Sequence, residues 1–254
     1  MKNTRYAWVA LFALAWSCGP KPAEDSVTET VVEEVLVAEN SLSEEEKVDG
    51  WMLLFDGTHT DGWRAFNGDS FPSDGWTVED GALKALGKGG DIGGDIVFEP
   101  VEFEEFEMEW TWKIASGGNS GVLYHVVEDP KYHAPYETGP EYQMIDQLGF
   151  ADPLEKWQSI GADYAMTEPN YEGAVKPAGE WNTSKIIFSE EGSSYYLNGQ
   201  QTVEFVPYSE AWTAARNSGK WNDFPDYAIS KTGLISLQDH GAETWFKNIK
   251  IRKL

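Results

Sequence analysis

Hydrophobic and polar residues alternate along several short stretches of the chain, as they do in β-strands that bury one face. The clearest stretch runs from residue 105 to residue 114. Its large apolar side chains, at every second position, are Phe106, Met108, Trp110, Trp112 and Ile114. Because successive side chains of a strand point to opposite faces, this stretch is predicted to form a strand with a buried rear face and a polar front face.

Tight-turn dipeptides connect other strand-like stretches. Asp80-Gly81 and Asn198-Gly199 each separate two short apolar runs, and such pairs favour two-residue hairpin turns. Further strands are predicted at residues 51–55, 181–189, 233–239 and 244–251. The chain shows no internal repeat and no alternation of strands with helices. We therefore predict an all-β fold, a two-sheet antiparallel sandwich.

One predicted strand, Glu141–Asp146, carries polar groups on one face only. Glu141 and Gln143 share a side, whereas Tyr142 and Met144 point to the other. This pattern is typical of a strand whose apolar rear packs on a core while its polar front meets a ligand. Residues 117–124 and 237–241 also carry amide, carboxylate and imidazole groups where ordinary sandwich strands carry Thr, Lys or Val. We expect these stretches to form three walls of one site.

Two long irregular stretches, residues 148–180 and 207–232, interrupt the strands and are rich in Trp, Tyr, Pro and Asn. Long loops in a compact domain are usually functional or disordered. Their aromatic content favours ordered loops over a cleft.

Composition narrows the range of ligands. The 254 residues are 41% hydrophobic, enough for one all-β domain with a substantial core. The 43 acidic and 19 basic residues give a net charge of −24. A field of that sign repels phosphate backbones, so a nucleic-acid partner is not expected, whereas neutral sugars stay compatible.

The N-terminus predicts export. Lys2 and Arg5 precede an apolar run that is too short to span a bilayer, and residues 1–17 are predicted to be a signal peptide. The single cysteine, Cys18, follows directly, as in bacterial lipoproteins, whose first mature residue is a lipidated cysteine. The alternative is an ordinary cleaved signal with an incidental cysteine. We expect a lipoprotein of the bacterial cell envelope, on the outer membrane or facing the periplasm, that touches the membrane through its lipid anchor only.

Residues 18–48 are predicted to be an acidic tether. Nine acidic residues and no basic residue lie between Glu24 and Glu46, and such a segment repels itself and stays extended. Ser43 and Glu46 have the spacing of a helix capping box. The folded domain is predicted to cover residues 49–254.

Short motifs spread over the predicted domain resemble one family. They are Leu54-Phe55-Asp56-Gly57, Asp61-Gly62-Trp63, Gly118-Asn119-Ser120-Gly121, Glu141-Tyr142-Gln143, Lys176-Pro177-Ala178-Gly179-Glu180-Trp181-Asn182, Leu197-Asn198-Gly199, Leu237-Gln238-Asp239-His240-Gly241 and Phe246-Lys247-Asn248-Ile249. In this order they resemble the 3-keto-disaccharide hydrolase family. The resemblance implies a jelly-roll sandwich of the concanavalin A-like lectin and glucanase type, with a carbohydrate bound on its concave face.

The activity implied by the resemblance is cleavage of glycosides that carry a ketone at C3. The ketone makes the C2 hydrogen acidic, so a base at C2 allows the C1 substituent to leave by elimination, and water then adds to the enone. Such a site needs a base, donors to the C3 oxygen and a proton donor near the leaving oxygen. The chemistry requires no cofactor in this chain, and the oxidation at C3 would belong to a partner oxidoreductase.

His240 and Glu141 are the catalytic candidates. Histidine is in general the side chain best suited to act as a base near neutral pH, and His240 shares strand parity with Gln238, although it could instead end a strand and bond a backbone carbonyl. Glu141 is the alternative acid or base, unless it forms an ion pair with Lys176 or Arg64. The residues expected to bind substrate are Asn119, Gln143, Gln238, Lys176, Tyr124, Trp63, Arg64 and Tyr164.

Two other functions stay open. A direct glycosidase needs two carboxylates across the scissile bond, and the position alternate to Glu141 is occupied by Gln143. A non-catalytic carbohydrate-binding module would carry aromatic and amide groups without a titratable group at its site. No metal is expected, because the spacing of His125, His133 and Glu137 is not distinctive.

Overall fold

The computed structural model describes residues 38–89 and 94–254. Its strands are β1 Met52–Leu53, β2 Trp63–Ala65, β3 Trp76–Glu79, β4 Ala82–Leu86, β5 Ile96–Phe103, β6 Phe106–Ile114, β7 Asn119–Val126, β8 Glu141–Ile145, β9 Asn182–Phe188, β10 Ser193–Leu197, β11 Gln200–Phe205, β12 Gly233–Leu237 and β13 Glu243–Lys253. The α-helices are α1 Glu44–Val48 and α2 Glu210–Arg216, and short 3₁₀ helices cover Pro135–Glu137, Lys156–Gln158 and Gly219–Asp223. None of these helices is long and apolar enough to cross a membrane.

The strands form two antiparallel sheets. One sheet has the order β11-β10-β9-β6-β13-β4-β3, and β1 pairs with the C-terminal half of β13 beyond the reach of β4. The other sheet has the order β2-β5-β12-β7-β8. The predicted all-β, two-sheet antiparallel jelly-roll fold is confirmed.

The core lies between the two sheets and is rich in aromatic rings. All five apolar residues of the alternating stretch predicted on β6 are buried, with Trp110 and Trp112 fully enclosed. The intervening polar residues face outward, where Glu107 forms ion pairs with Lys185 and Arg252. The alternation of β6 is therefore confirmed, and it places one face of the larger sheet against the smaller sheet.

Both predicted hairpin turns are present. Asp80-Gly81 joins β3 to β4 with φ values of 50° and 73°, and Asn198-Gly199 joins β10 to β11 with 50° and 84°. Two consecutive residues with positive φ are what a type I′ turn requires, which explains why Gly follows Asp or Asn here.

The two stretches predicted to be long loops differ in structure. Residues 161–164 run beside the free edge of β8, with Gly161 N–H donating to Gln143 O at 2.9 Å and Tyr164 N–H donating to Glu141 O at 3.0 Å. The stretch 207–232 is less irregular than predicted, because Ser209 caps helix α2 by accepting the Trp212 N–H.

The segment before β1 is attached to the larger sheet. Asn40 and Asn248 each accept the other's backbone N–H through their side chains, at 2.7 and 2.8 Å, and Asn40 Nδ2 donates to Gly81 O. Ser43 and Glu46 form the predicted capping box of α1. Residues 38–48, which the sequence assigns to the tether, thus contact the sheet. The predicted signal peptide, Cys18 and the rest of the tether lie outside the described residues and stay predictions.

Replacing Asn40 by Ala is expected to lower the free energy of unfolding by about 2 kcal/mol, since it removes two hydrogen bonds and places Ala at a φ of 52°. Ser41→Ala is the control, because the Ser41 hydroxyl bonds only Ala38 O at the surface. Urea unfolding measures both. An Asn40→Ala protein as stable as Ser41→Ala would show that this attachment contributes nothing to stability.

Candidate active site

Strand β8 sends alternate side chains to the core and to the outer face of the smaller sheet. Tyr142 and Met144 are fully buried, and the Tyr142 ring meets Trp110 of the larger sheet edge-on at 4.9 Å. Glu141 and Gln143 point the opposite way and line a pocket. The alternation predicted for this strand is confirmed.

Gly121 of β7 leaves room for the Glu141 side chain. A Cβ at Gly121 would lie 2.9 Å from Glu141 Cδ and closer still to its Oε1. The carboxyl therefore folds over backbone that carries no side chain, and Glu141 is only 4% exposed. The same glycine pairs with Gln143 across β7 and β8 and accepts the Gln238 N–H at 3.0 Å. Gly121 is thus the point where the three polar stretches meet.

The pocket over this point has a volume of about 210 Å³. It is lined by Asn119, Tyr136, Glu141, Gln143, Tyr164, Lys220, Phe224, Gln238 and His240. Strands β7 and β8 and the residues after β12 supply its floor, and the two long loops together with the 3₁₀ helix Pro135–Glu137 supply the rest. The structure thus brings six predicted site residues together: Glu141, His240, Asn119, Gln143, Gln238 and Tyr164.

Three amide oxygens in this pocket lack hydrogen-bond partners among the described residues. They are Asn119 Oδ1, Gln143 Oε1 and Gln238 Oε1, all buried. The orientation of the Gln143 amide is fixed, because its Nε2 donates to Gln158 O at 3.1 Å. Buried polar atoms are almost always paired in native proteins, so this cluster is suited to accept hydrogen bonds from a polar ligand.

Glu141 is the carboxylate of the pocket. Burial raises the pKa of this carboxyl to about 8, and the positive charge of Lys220 opposes the rise. Such a value lies near neutral pH, which is the range in which a carboxylate works well as a general base.

Lys220 was not identified from the sequence, although it lies in the loop predicted to cover a cleft. Its ammonium sits among three rings, 4.3 Å from the centre of Tyr164, 4.8 Å from Trp221 and 5.1 Å from Tyr136. Burial lowers the pKa of the ammonium, while Glu141 opposes this. Cation–π contacts hold a cation without neutralising it, so the charge stays available to the pocket. The only feature of the sequence that pointed to Lys220 was its position beside the aromatic residues Trp221 and Phe224.

A second carboxyl, Asp163, lies behind Glu141 in the core. It is buried, and neither of its oxygens has a hydrogen-bond partner within the described part of the chain. Burial raises its pKa well above the usual range, and the charge of Glu141 raises it further. Glu141, and not Asp163, is the carboxyl that lines the pocket.

Two aromatic candidates lie in the core instead of the pocket. Trp63 is buried, packs edge-on against Phe98 at 5.3 Å and donates its Nε1–H to Leu54 O. The Tyr124 hydroxyl bonds that of Tyr195 at 2.8 Å between the sheets. Neither ring is accessible to a sugar, so both assignments were wrong; the strand positions of these residues put them on the inner face.

Two charged candidates are also absent from the pocket lining. Arg64 forms an ion pair with Glu128 at 2.6 Å and with Glu99 at 3.4 Å. Lys176 donates to Trp181 O at the surface. The ion pair with Glu141 that was considered for both is likewise not formed, and the cation near Glu141 is Lys220.

The three residues considered for a metal do not converge. The His125 ring bonds Glu104 O, and Glu137 accepts the His133 and Ala134 N–H groups. Across residues 38–89 and 94–254, no group of three His, Cys, Asp or Glu side chains is arranged to hold a metal ion.

Comparisons with known proteins agree on one family. The model of the 3-keto-alpha-glucoside-1,2-lyase-like domain matches residues 50–252. A curated 3-keto-disaccharide hydrolase of Bacteroides thetaiotaomicron is 32% identical over 232 residues, which are 81% of this chain and 79% of the relative.

Two crystal structures of glycosyl hydrolase candidates from Parabacteroides distasonis ATCC 8503 share the fold. One is 45% identical, covers 85% of this chain and all of its own, and superposes with a TM-score of 0.78. The other is 27% identical, covers 80% of this chain and 99% of its own, and has a TM-score of 0.64. The family resemblance noted from the motifs is confirmed: the chain belongs to the family of 3-keto-alpha-glucoside-1,2-lyase-like domains.

Proposed function

We propose that this chain cleaves 3-keto-glycosides, such as 3-keto-disaccharides, by elimination at C2 and C1 followed by hydration. The observation that carries the proposal is the single pocket that combines a buried carboxylate, Glu141, with three unpaired amide oxygens. The family and the name of the curated relative support the substrate class.

Glu141 is the proposed base at C2. Its carboxyl is held over Gly121, faces the pocket and has a pKa near neutral pH. His240, the first candidate from the sequence, is exposed at the rim. We assign His240 to substrate hydroxyls near the scissile bond, because a base at C2 must be enclosed with the reacting carbon.

The enolate needs positive charge and donors at the C3 oxygen. Lys220 supplies the charge from its aromatic surroundings, and the amide N–H groups of Asn119 and Gln238 supply neutral donors. The unpaired amide oxygens accept hydrogen bonds from sugar hydroxyls, and Tyr164 offers a ring to the apolar face of the sugar.

The reaction then balances without a cofactor. Glu141 takes the C2 proton, and the C–H electrons form the enolate. When the ketone re-forms, a C1–C2 double bond forms, and the C1–O bond breaks. Water adds to C1, the second proton of this water goes to the sugar oxygen that has left C1, and Glu141 returns its proton to C2. An oxidation at C3 must supply the substrate, so we propose a sugar oxidoreductase as the upstream partner.

The two alternative functions, a non-catalytic binding module and a direct glycosidase, can be compared with the residues that line the pocket. A binding module needs no titratable group at its site, whereas Glu141 and His240 line one pocket. A direct glycosidase needs two carboxylates at the sugar, and it would cleave the unoxidised parent, so the parent substrate separates it from the proposed enzyme.

The purified protein is expected to release sugar from a 3-keto-disaccharide and not from its unoxidised parent. Glu141→Gln should lower kcat/KM by about 10³-fold, within the range for loss of a general base. The exposed Glu102→Gln, also on a strand, is the matched control. Product analysis by chromatography measures both, and cleavage of the parent at a similar rate would replace this proposal by a direct glycosidase.

On p-nitrophenyl 3-keto-glucoside, whose leaving group needs no proton, the pH profile of kcat/KM is expected to rise through the Glu141 pKa of about 8, because only the deprotonated base accepts the C2 proton. The charge of Lys220 lowers this pKa, so Lys220→Met should move the rise to higher pH and also lower the plateau. Lys220→Arg keeps the charge and should shift the profile less. A Lys220→Met profile unchanged in position would show that Lys220 does not act on the base.

Gly121→Ala is expected to lower activity by about 10²-fold or more while the protein stays folded, since the added Cβ displaces the flexible Glu141 side chain from the sheet. Gly192→Ala is the control, because a Cβ there meets no atom within 4 Å. Steady-state kinetics and urea unfolding measure the two effects. Full activity of a folded Gly121→Ala protein would contradict the described position of the carboxyl.

A further inference from the structure

A second pocket adjoins the one that holds Glu141. It has a volume of about 460 Å³, roughly twice that of the first, and the two share Tyr136, Gln238 and His240. The larger pocket falls within the range of about 300–1,000 Å³ that is typical of ligand sites. A ligand that fills both pockets would therefore extend along the residues that the two pockets share.

The larger pocket contains a carboxyl that the proposed reaction has not used. Asp95 directly precedes β5, and its Oδ1 accepts the Asp239 N–H at 2.9 Å. The Asp95 carbonyl accepts the Phe66 N–H at 2.9 Å. Since β5 and β12 are antiparallel, the start of β5 lies beside the end of β12, which brings Asp95 next to the segment that carries Gln238 and His240.

We propose that the larger pocket binds the leaving sugar of the substrate and that Asp95 donates the proton to the departing glycosidic oxygen. The proposal rests on the proposed function, because it places the 3-keto ring in the smaller pocket beside Glu141. The scissile C1–O bond then crosses the shared wall, with the base on one side and the proton donor on the other.

The walls of the larger pocket suit a sugar. Phe66 and Tyr136 offer aromatic surface to the apolar face of the ring, and Asp95, His133 and His240 offer polar groups to its hydroxyls. A sugar leaves as an alkoxide that needs a proton at once, because its alcohol is a weak acid. A pocket built for this leaving group therefore requires a proton donor near the shared wall.

Asp95 can carry that proton at neutral pH. Burial raises the pKa of its carboxyl to about 7; the charge of Asp239 raises it, while the Asp239 N–H lowers it. The other ionisable groups around this pocket are His133, His240 and Tyr136, and the charge of Asp95 also acts on Glu141. A carboxylic acid with such a pKa can donate and recover a proton within one turnover.

The proton balance then closes. Glu141 takes the C2 proton, the C1–O bond breaks, and Asp95 gives its proton to the leaving oxygen. In the hydration step, the Asp95 carboxylate takes a proton from the attacking water, the water oxygen bonds to C1, and Glu141 returns its proton to C2. Both carboxyls end in their starting states.

Leaving-group dependence tests the proton donor. The full chain and Asp95→Asn are compared on a 3-keto-disaccharide and on a p-nitrophenyl 3-keto-glucoside, whose leaving group needs no proton. We expect Asp95→Asn to slow the disaccharide about 10²-fold and the nitrophenyl substrate by about threefold or less. Asn keeps the acceptor for the Asp239 N–H. An equal loss on both substrates would assign Asp95 to structure and overturn its role as donor.

Filling the larger pocket tests the subsite. Ala134 lines this pocket and not the smaller one. Ala134→Trp is expected to raise KM for the 3-keto-disaccharide about tenfold and to leave methyl 3-keto-glucoside unchanged. Equal effects on both substrates, or none on either, would overturn the subsite. A wild-type protein that cleaves no 3-keto substrate would instead refute the proposed function, so the two failures are distinguishable.

Discussion

The site depends on one steric relation, the packing of the Glu141 side chain over Gly121. With any other residue on β7 at this point, the carboxyl would be pushed away from the sheet into the space that a ligand needs. Burial against the backbone removes the carboxyl from water, and that desolvation raises its pKa. Position and basicity of the group thus have the same cause.

The features of the fold that depend on local pattern could be predicted from the sequence. The alternation on β6 and β8 determines which side chains enter the core, and the Asp-Gly and Asn-Gly turns determine two hairpins. The order of strands within the sheets depends on contacts between residues far apart in the chain, which no local pattern encodes. The hydrogen bond between Asn40 and Asn248 also joins residues far apart in the chain, so no local pattern predicted it.

The difference between local patterns and long-range contacts also explains which residues of the site could be predicted from the sequence. Glu141, Gln143 and Gln238 could be identified because amides and carboxylates are unusual on a sandwich strand. Lys220 and Asp95 could not, since a lysine in a loop and an aspartate before a strand are ordinary in sequence and gain their properties from burial and from neighbours. Trp63 and Tyr124 were wrong because motif membership does not say which face of a sheet a ring occupies.

The unpaired amide oxygens of the site match a ligand that carries hydroxyl groups. The buried oxygens of Asn119, Gln143 and Gln238 have no partners in the described structure, and each such group destabilises a fold by about 1–3 kcal/mol. A sugar ring presents hydroxyl donors around its edge, so one bound ring can satisfy several of these oxygens together. These oxygens are then a source of selectivity, because a ligand without matching hydroxyls would bury them unpaired.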